Sequence, residues 1–345
     1  MGFFRKSPVE IVKKLSKNIP LLAAESRIDS READKKKIDT LKQLVSTDIE
    51  KLKTILYGSP SSLPNEQEIK EAVCASYDED LIRLIIVNFR ILPFETQKSS
   101  SHIITNLIRK NRDGTQATDS SCPAVSYFKS NPSILKYLFD GYKDSSIIVS
   151  CGLMLRELIR LRDVCKMVLN SHLIYDVLFK QLLSDNFDVA SESFTLLKHI
   201  LLRFRILTSE FLSREYDIFF KNYNTLLLEG NFVIKRQALK LLSEILIEPR
   251  NGDVRDRYIG VDENLKLIMV FLKDKSAAIR NEAFHVFKVF VANPRKTTEV
   301  VNILKRNKDK VITFLKEFEV EKEYDSFKKE KQILLKSIRD IDKVH

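Results

Sequence analysis

Histidine and cysteine are the side chains that most often carry catalysis or hold a metal, and this chain spaces them far apart. They are His102, His172, His199, His285, His345, Cys74, Cys122, Cys151 and Cys165. No histidine stands three to five residues from another histidine or a cysteine, which is the spacing that zinc sites use. Neither a CxxC pair nor a nucleophile elbow, P-loop or dinucleotide-binding glycine motif occurs. We therefore predict a protein that is not an enzyme and has no catalytic residue, metal site or cofactor.

The polar residues that do suggest chemistry are Arg236 and Lys240, which stand four positions apart. The apolar residues around them form one helical stripe, made of Ile234, Ala238, Leu241, Leu242 and Ile245. Arg236 and Lys240 lie on the opposite face, where two like charges destabilise an isolated helix by about 0.2–0.5 kcal/mol. The pair is either an ordinary solvated face or an anion-binding pair beside a groove. Met269, in the next repeat, is either a core residue or part of an adaptable apolar wall.

The elements that must position these residues are repeated helices. Residues 231–246 align without gaps on 276–291 and on 186–201, and a further copy begins at Ser145. The eighth residue of each copy is small, namely Gly152, Ser193, Ala238 and Ala283. A small side chain lets neighbouring helices approach closely. A period of about 45 residues predicts an all-α, right-handed armadillo/HEAT-like helical-repeat solenoid of about six to seven repeats.

We expect one continuous array over 1–345. Residues 1–58 form an N-terminal cap, 59–294 the repeats and 295–345 a C-terminal cap, because a solenoid buries one core between neighbours and needs polar ends. Within the C-terminal cap we expect two charged helices, at 297–317 and 321–342. The polar stretch 111–123 is predicted to be an enlarged loop.

Composition favours a soluble protein that binds a partner with an acidic surface. The chain has 58 Lys and Arg against 47 Asp and Glu, a net charge of +11. No apolar run approaches the ~18 residues that a membrane span requires, so we expect no membrane insertion. Unpaired cysteines are typical of a reducing compartment, and a cytoplasmic location is expected.

Several stretches are similar to one known family. They are VIKRQALKLL, ENLKLIM, DKS, AFHVFKVFVANPRKT, SCGLMLRELIR, NFDVAS, ILYG and PFE. Through them the chain resembles, over nearly its whole length, the calcium-binding protein 39 family. These are the armadillo-like kinase scaffolds also called mouse-protein-twenty-five proteins. The resemblance implies a non-catalytic scaffold that binds and activates a sterile-twenty-type protein kinase or pseudokinase in signal transduction and cell polarity.

The resemblance also implies two partner surfaces. One is a pocket that captures a C-terminal Trp-Glu-Phe motif, carried here by Val233, Arg236, Lys240, Lys266 and Met269. The other is a concave face that holds the kinase domain, carried here by Phe94, Lys98, Phe187 and Arg250. Pro249 and Gly252 stand where animal members place an Arg and a Phe that touch a client kinase, so recruitment of that third kinase is not implied.

Two other binding functions remain open. The chain could be an armadillo-repeat adaptor for another acidic protein or peptide, or a helical repeat that binds RNA. Repeat RNA readers keep base-reading side chains at the same positions in successive repeats. The equivalents of Arg236 are Ser150, Ser191 and Asn281, so the charge is not kept and no nucleic acid is expected as a partner. We expect a monomer or a weak homodimer.

Overall fold

The computed structural model describes residues 7–27, 32–60, 63–118, 121–318 and 325–343. Throughout these ranges the regular structure is helical, and an isolated bridge pairs Lys110 with Gln116. The chain divides into two compact units, Met1–Phe204 and Arg205–His345. The predicted single array with two caps stays a prediction.

The first unit contains the helices that we number α1 to α11. They are Pro8–Glu25, Glu32–Tyr57, Glu66–Asp78, Leu81–Val87, Phe94–Ile108, Pro123–Ser130, Ser133–Asp140, Ile148–Ile159, Arg162–Leu169, Lys180–Leu182 and Phe187–Arg203. A wider π-helical segment, Ile174–Phe179, leads directly into α10.

The second unit contains α12 to α20. They are Arg205–Arg214, Tyr216–Glu229, Phe232–Ile247, Gly252–Gly260, Asp262–Phe271, Ala277–Ala292, Thr298–Arg306, Lys308–Glu317 and Asp325–Arg339.

The helices that carry the repeat copies pack side by side in each unit. In the first unit, Arg109 at the end of α5 lies 2.5 Å from Glu157 of α8, and Arg156 of α8 pairs with Glu192 of α11. In the second unit the same arrangement joins α14 to α17 and α17 to α20. Equivalent helices therefore stack on their neighbours, which confirms the predicted all-α helical-repeat fold of the armadillo/HEAT type.

Each of three sequence copies begins at the residue that caps its helix. The side chains of Asn186, Asn231 and Ser276 accept hydrogen bonds from backbone N–H groups of the first turn of α11, α14 and α17. Such caps satisfy N–H groups that have no partner within the helix. The register read from the sequence is therefore the register of the helices.

The copy that begins at Ser145 does not follow this register. Its helix, α8, begins only at Ile148. The Asp144 carboxylate accepts hydrogen bonds from the backbone N–H and the hydroxyl of Ser146, at 3.1 and 2.6 Å. These local bonds hold the chain in a turn that competes with the helix.

The four small residues lie at buried positions between packed helices. Ser193, Ala238 and Ala283 are buried, and so is Gly152. A Cβ atom on Gly152 would lie 2.1 Å from the Glu192 Oε1 atom of α11, far inside van der Waals contact. A side chain larger than glycine at this position would therefore require the Glu192 carboxylate to move.

The C-terminal helices differ from the expectation. The helix predicted over 297–317 is broken at Asn307 into α18 and α19, so that prediction is wrong. The Asn307 side chain donates to the Ile303 carbonyl at 2.9 Å and ends α18, as Asn side chains often do. Of the helix predicted over 321–342, residues 321–324 lie outside the described residues and α20 begins at Asp325.

The loop predicted at 111–123 is closed by hydrogen bonds where it leaves α5. Asn111 donates its backbone N–H to the Thr115 carbonyl at 2.9 Å. Gly114 has φ +86°, a left-handed conformation that glycine adopts without steric cost. This part of the loop is thus a compact turn.

Candidate peptide-binding site

Arg236 and Lys240 are both exposed on α14, and the neighbouring helix supplies them with a counter-ion. Arg236 Nε lies 3.9 Å from the Glu282 Oε1 atom of α17. At that distance the contact is a loose ion pair rather than a hydrogen bond. The two cations therefore keep donors that can reach an incoming carboxylate.

Glu282 was not singled out from the sequence. Burial raises the pKa of its carboxyl, Lys240 and Arg236 lower it, Glu244 raises it, and the net effect is a pKa above the usual value. The carboxylate is thus partly desolvated beside two cations. A neighbouring anion stabilises two like charges one turn apart, and that signal could have directed attention to acidic residues of the next copy.

The N-terminal ends of α14 and α17 lie at one edge of the second unit. Arg236 and Glu282 stand at similar positions in their helices, so the two helices run parallel. The short connections that enter them, at 230–231 and 272–276, therefore lie at the same edge, together with the C-terminal ends of α13 and α16. We call this the α14 edge. Large apolar side chains are exposed on these helix ends, namely Leu228, Phe232 and Val270.

The predicted pocket residues occupy different parts of this region. Val233, Arg236 and Lys240 share α14, and Met269, half-buried, stands near the C-terminus of α16 at the α14 edge. The Lys266 ammonium lies 2.6 Å from Asp262, one turn towards the start of α16. The hydrogen bond that the Lys266 ammonium donates to the Asp262 carboxylate raises the pKa of Lys266. Arg236, Lys240 and Val233 are thus brought together, whereas Lys266 is engaged on its own helix.

The predicted kinase-binding residues of the first unit lie at the starts of packed helices. Phe94 and Phe187 are the first residues of α5 and α11, and their side chains are 68% and 54% exposed. Lys98 is exposed one turn after Phe94. Val149, at the start of the intervening α8, is 66% exposed. The sequence did not indicate it as a surface contact, because the helix of this copy begins later than the alignment of the copies predicts.

Comparison with known proteins identifies the family. A sequence model of the Mo25-like family matches residues 2–342. The chain belongs to the Mo25-like family.

It is 39% identical to Calcium-binding protein 39-like of Mus musculus over 339 residues, which cover 98% of this chain and 96% of that protein. The Homo sapiens protein of the same name is 38% identical over the same shares. The Mo25-like protein of Schizosaccharomyces pombe is 36% identical, covering 96% of each chain. The resemblance read from the sequence is confirmed, and it supports a scaffold of the Mo25 type.

Arg250 of this Mo25-like chain lies in the second unit, in the short 3₁₀ turn Pro249–Asn251. Its Nη1 atom is 3.3 Å from the Glu248 Oε1 atom, and Arg205 also binds this carboxylate. Burial raises the pKa of Glu248, but the hydrogen bonds from Arg205 and Arg250 outweigh it and hold the pKa below its usual value. Arg250 is therefore exposed but anchored by a carboxylate.

The described residues of the Mo25-like chain contain neither a metal-binding cluster nor a membrane-spanning helix. In those ranges no group of three or more His, Cys, Asp or Glu side chains is placed to hold a metal ion. Nor does any helix in them combine the length and apolar character needed to cross a membrane.

Proposed function

We propose that this Mo25-like chain is a non-catalytic scaffold for a sterile-twenty-type protein kinase or pseudokinase. Its α14 edge captures a C-terminal Trp-Glu-Phe-like motif of the partner. The observation that carries the proposal is the exposed cation pair Arg236 and Lys240 on α14, in the unit that also exposes the apolar side chains Leu228, Phe232 and Val270 at the ends of α13, α14 and α16. A cytoplasmic location belongs to the same proposal.

The chemistry of the motif matches that of the edge. Two aromatic side chains gain most from an apolar surface, and buried aromatic anchors dominate many interfaces. A glutamate and a terminal carboxylate gain from paired cations, because charge-assisted hydrogen bonds are about twice as strong as neutral ones. Met269 supplies a polarizable thioether that adapts to an inserted ring. Val233 and Lys266 complete the proposed pocket.

The partner's kinase domain is proposed to bind the exposed helix starts of the first unit, with Phe94, Lys98 and Phe187 as contacts. Arg250, in the second unit, is proposed as a further contact. A scaffold that binds one kinase conformation better than another shifts the kinase towards that conformation. Activation therefore needs no catalytic group on this chain.

The absence of tryptophan from the chain gives a direct test of the tail-binding part. A peptide ending in Trp-Glu-Phe carries the only indole in the mixture, and its fluorescence is followed as the protein is titrated in. We expect saturable burial of the indole. Arg236→Ala should weaken binding about tenfold or more, since hydrogen bonds between charged groups contribute about 1.5–3 kcal/mol. Met269→Ala should weaken binding by a smaller factor.

The matched control is Lys310→Ala, which removes an exposed cation from α19 of the same unit. This variant should bind as the wild type does. Equal binding by Arg236→Ala and Lys310→Ala would remove the α14 edge from the proposal.

A further inference from the structure

A second concave site lies at the other end of α14. It is a groove with a volume of about 640 Å³ between the C-terminal ends of α14 and α17 and the helix α15. Its apolar lining is made of Leu246, Ile247, Ile259, Val289, Ala292 and Pro294. Ile247 is exposed. None of the five residues of the proposed tail pocket lines this groove.

The rim of the groove carries an excess of positive charge. Arg255 Nε lies 3.1 Å and Arg295 Nη2 lies 3.2 Å from the carboxylate of Asp256, so two guanidinium groups share one anion. Lys288 adds a third cation to the lining. Its ammonium contacts Glu330 of α20 at 2.5 Å.

His285 adds no charge to this rim at neutral pH. Burial lowers the pKa of its imidazole, Lys288 and Lys240 lower it further, and the opposing effect of Glu330 is smaller. The positive charge of the groove is therefore that of Arg255, Lys288 and Arg295.

The walls of the groove are held in place by hydrogen bonds. Asn293, which follows α17, donates its side-chain amide to the Arg295 carbonyl and accepts from the Arg295 N–H, both at 2.9 Å. The Thr297 hydroxyl donates to the Gly260 carbonyl at the end of α15 at 3.0 Å. Together with the Asp256 bridge, these bonds fix the 293–297 loop against α15. A groove formed in advance avoids the entropy cost of ordering a loop on binding.

We propose that this groove is a second docking site, which binds a partner peptide with a bulky apolar side chain flanked by carboxylates. The apolar floor takes the side chain, and Arg255 and Arg295 bind the carboxylates. Charge complementarity selects this occupant, because a basic or neutral peptide would leave two guanidinium groups without an added anion. The site is independent of the tail-binding proposal.

The test selects a displayed library of random dodecapeptides on the wild-type full-length chain. A parallel selection on the Arg236→Ala variant identifies the peptides whose binding does not depend on the α14 edge. We expect enriched sequences with Asp or Glu next to Leu, Ile, Phe or Trp. Each enriched peptide is then synthesised with a fluorescent label and titrated with the protein and its variants.

Two substitutions at exposed positions should abolish this binding while leaving the fold intact. Arg295→Glu reverses a rim charge, and Ile247→Glu places a carboxylate on the apolar wall. We expect each to weaken binding about tenfold or more. The matched control, Lys310→Glu, makes the same charge reversal away from the groove and should not change affinity. Circular dichroism of all variants checks that the helices remain.

The site is refuted if no peptide is enriched, if enriched peptides lack acidic residues, or if the groove variants bind them as the wild type does. Concentration-dependent self-association of the wild type that Ile247→Glu abolishes would assign the groove to a second copy of the chain and overturn the peptide proposal. Arg236→Ala should leave groove binding unchanged. If the wild type binds the Trp-Glu-Phe peptide but no groove peptide, only the groove proposal fails. If it binds a groove peptide but not the Trp-Glu-Phe peptide, only the tail-pocket proposal fails.

Discussion

At the scale of single residues, the candidate site is a balance of three charges. Arg236 and Lys240 repel one another on α14, and Glu282 of α17 lies beside them with a carboxyl whose pKa is raised. A peptide carboxylate must therefore compete with an anion that is already present. The sequence located the cations, but only the structure located their competitor.

This competition predicts that peptide binding depends on pH. As pH falls towards the raised pKa of Glu282, its carboxyl takes up a proton and stops competing for Arg236 and Lys240. The peptide's own carboxylates stay ionised until lower pH, because their ordinary pKa values are about 4. Affinity for the Trp-Glu-Phe peptide should therefore rise as pH is lowered from neutral towards mild acid.

Glu282→Gln removes the titrating group and provides the comparison. This variant should bind the peptide up to about fivefold more tightly at neutral pH. That factor corresponds to the free energy that a partly exposed ion pair contributes. Its affinity should also change less with pH. Isothermal titration calorimetry at several pH values measures both effects. Weaker binding by Glu282→Gln at neutral pH would mean that Glu282 orients Arg236 rather than competing with the ligand.

At the scale of elements, stacking of equivalent helices is made possible by one small residue per copy. Ala238 of α14 and Ala283 of α17 are fully buried, and these two helices pack against each other. A larger side chain there would push neighbouring repeats apart. The same close packing sets the α14 edge and the groove, because both are formed by α14 and α17 together with the helices that flank them.

Ala283→Leu should therefore destabilise the protein. Extra methyl groups in a well-packed interior cost about 1–3 kcal/mol. Ala277→Leu, at the exposed first position of the same helix, should change stability by about 0.5 kcal/mol or less. Urea unfolding followed by circular dichroism measures both. Equal midpoints for the two variants would show that the surroundings of Ala283 are not tightly packed.

At the scale of the whole molecule, the net charge of +11 should attract acidic ligands. Salt screens charges over about 10 Å at 0.1 M ionic strength and over shorter distances as salt is added. Binding of the Trp-Glu-Phe peptide should therefore weaken several-fold between about 0.05 and 0.5 M salt. A Trp-Gln-Phe peptide with an amidated C-terminus should show weaker binding and a smaller dependence on salt. Parallel salt dependences of the two peptides would contradict an electrostatic contribution.

The sequence by itself determined the helical-repeat fold, because three of the copies keep their caps in one register and all four keep a small residue at the eighth position. It also placed Arg236 and Lys240 on the exposed face of α14, since helical periodicity decides which side chains share a face. The predictions from the sequence were wrong at Ser145 and Asn307, where local side-chain bonds form: the Asp144 carboxylate accepts from Ser146, and the Asn307 side chain donates to the Ile303 carbonyl.

Only the tertiary structure decided which charges meet across helices. Glu282 beside Arg236, Asp256 beside Arg295, and the groove at the end of α14 all depend on how α14, α15 and α17 pack. Such contacts join residues tens of positions apart, so the spacing along the chain does not encode them. Helical periodicity in the sequence shows which side chains of a helix are exposed. The packing of the helices determines which of these side chains lie next to each other.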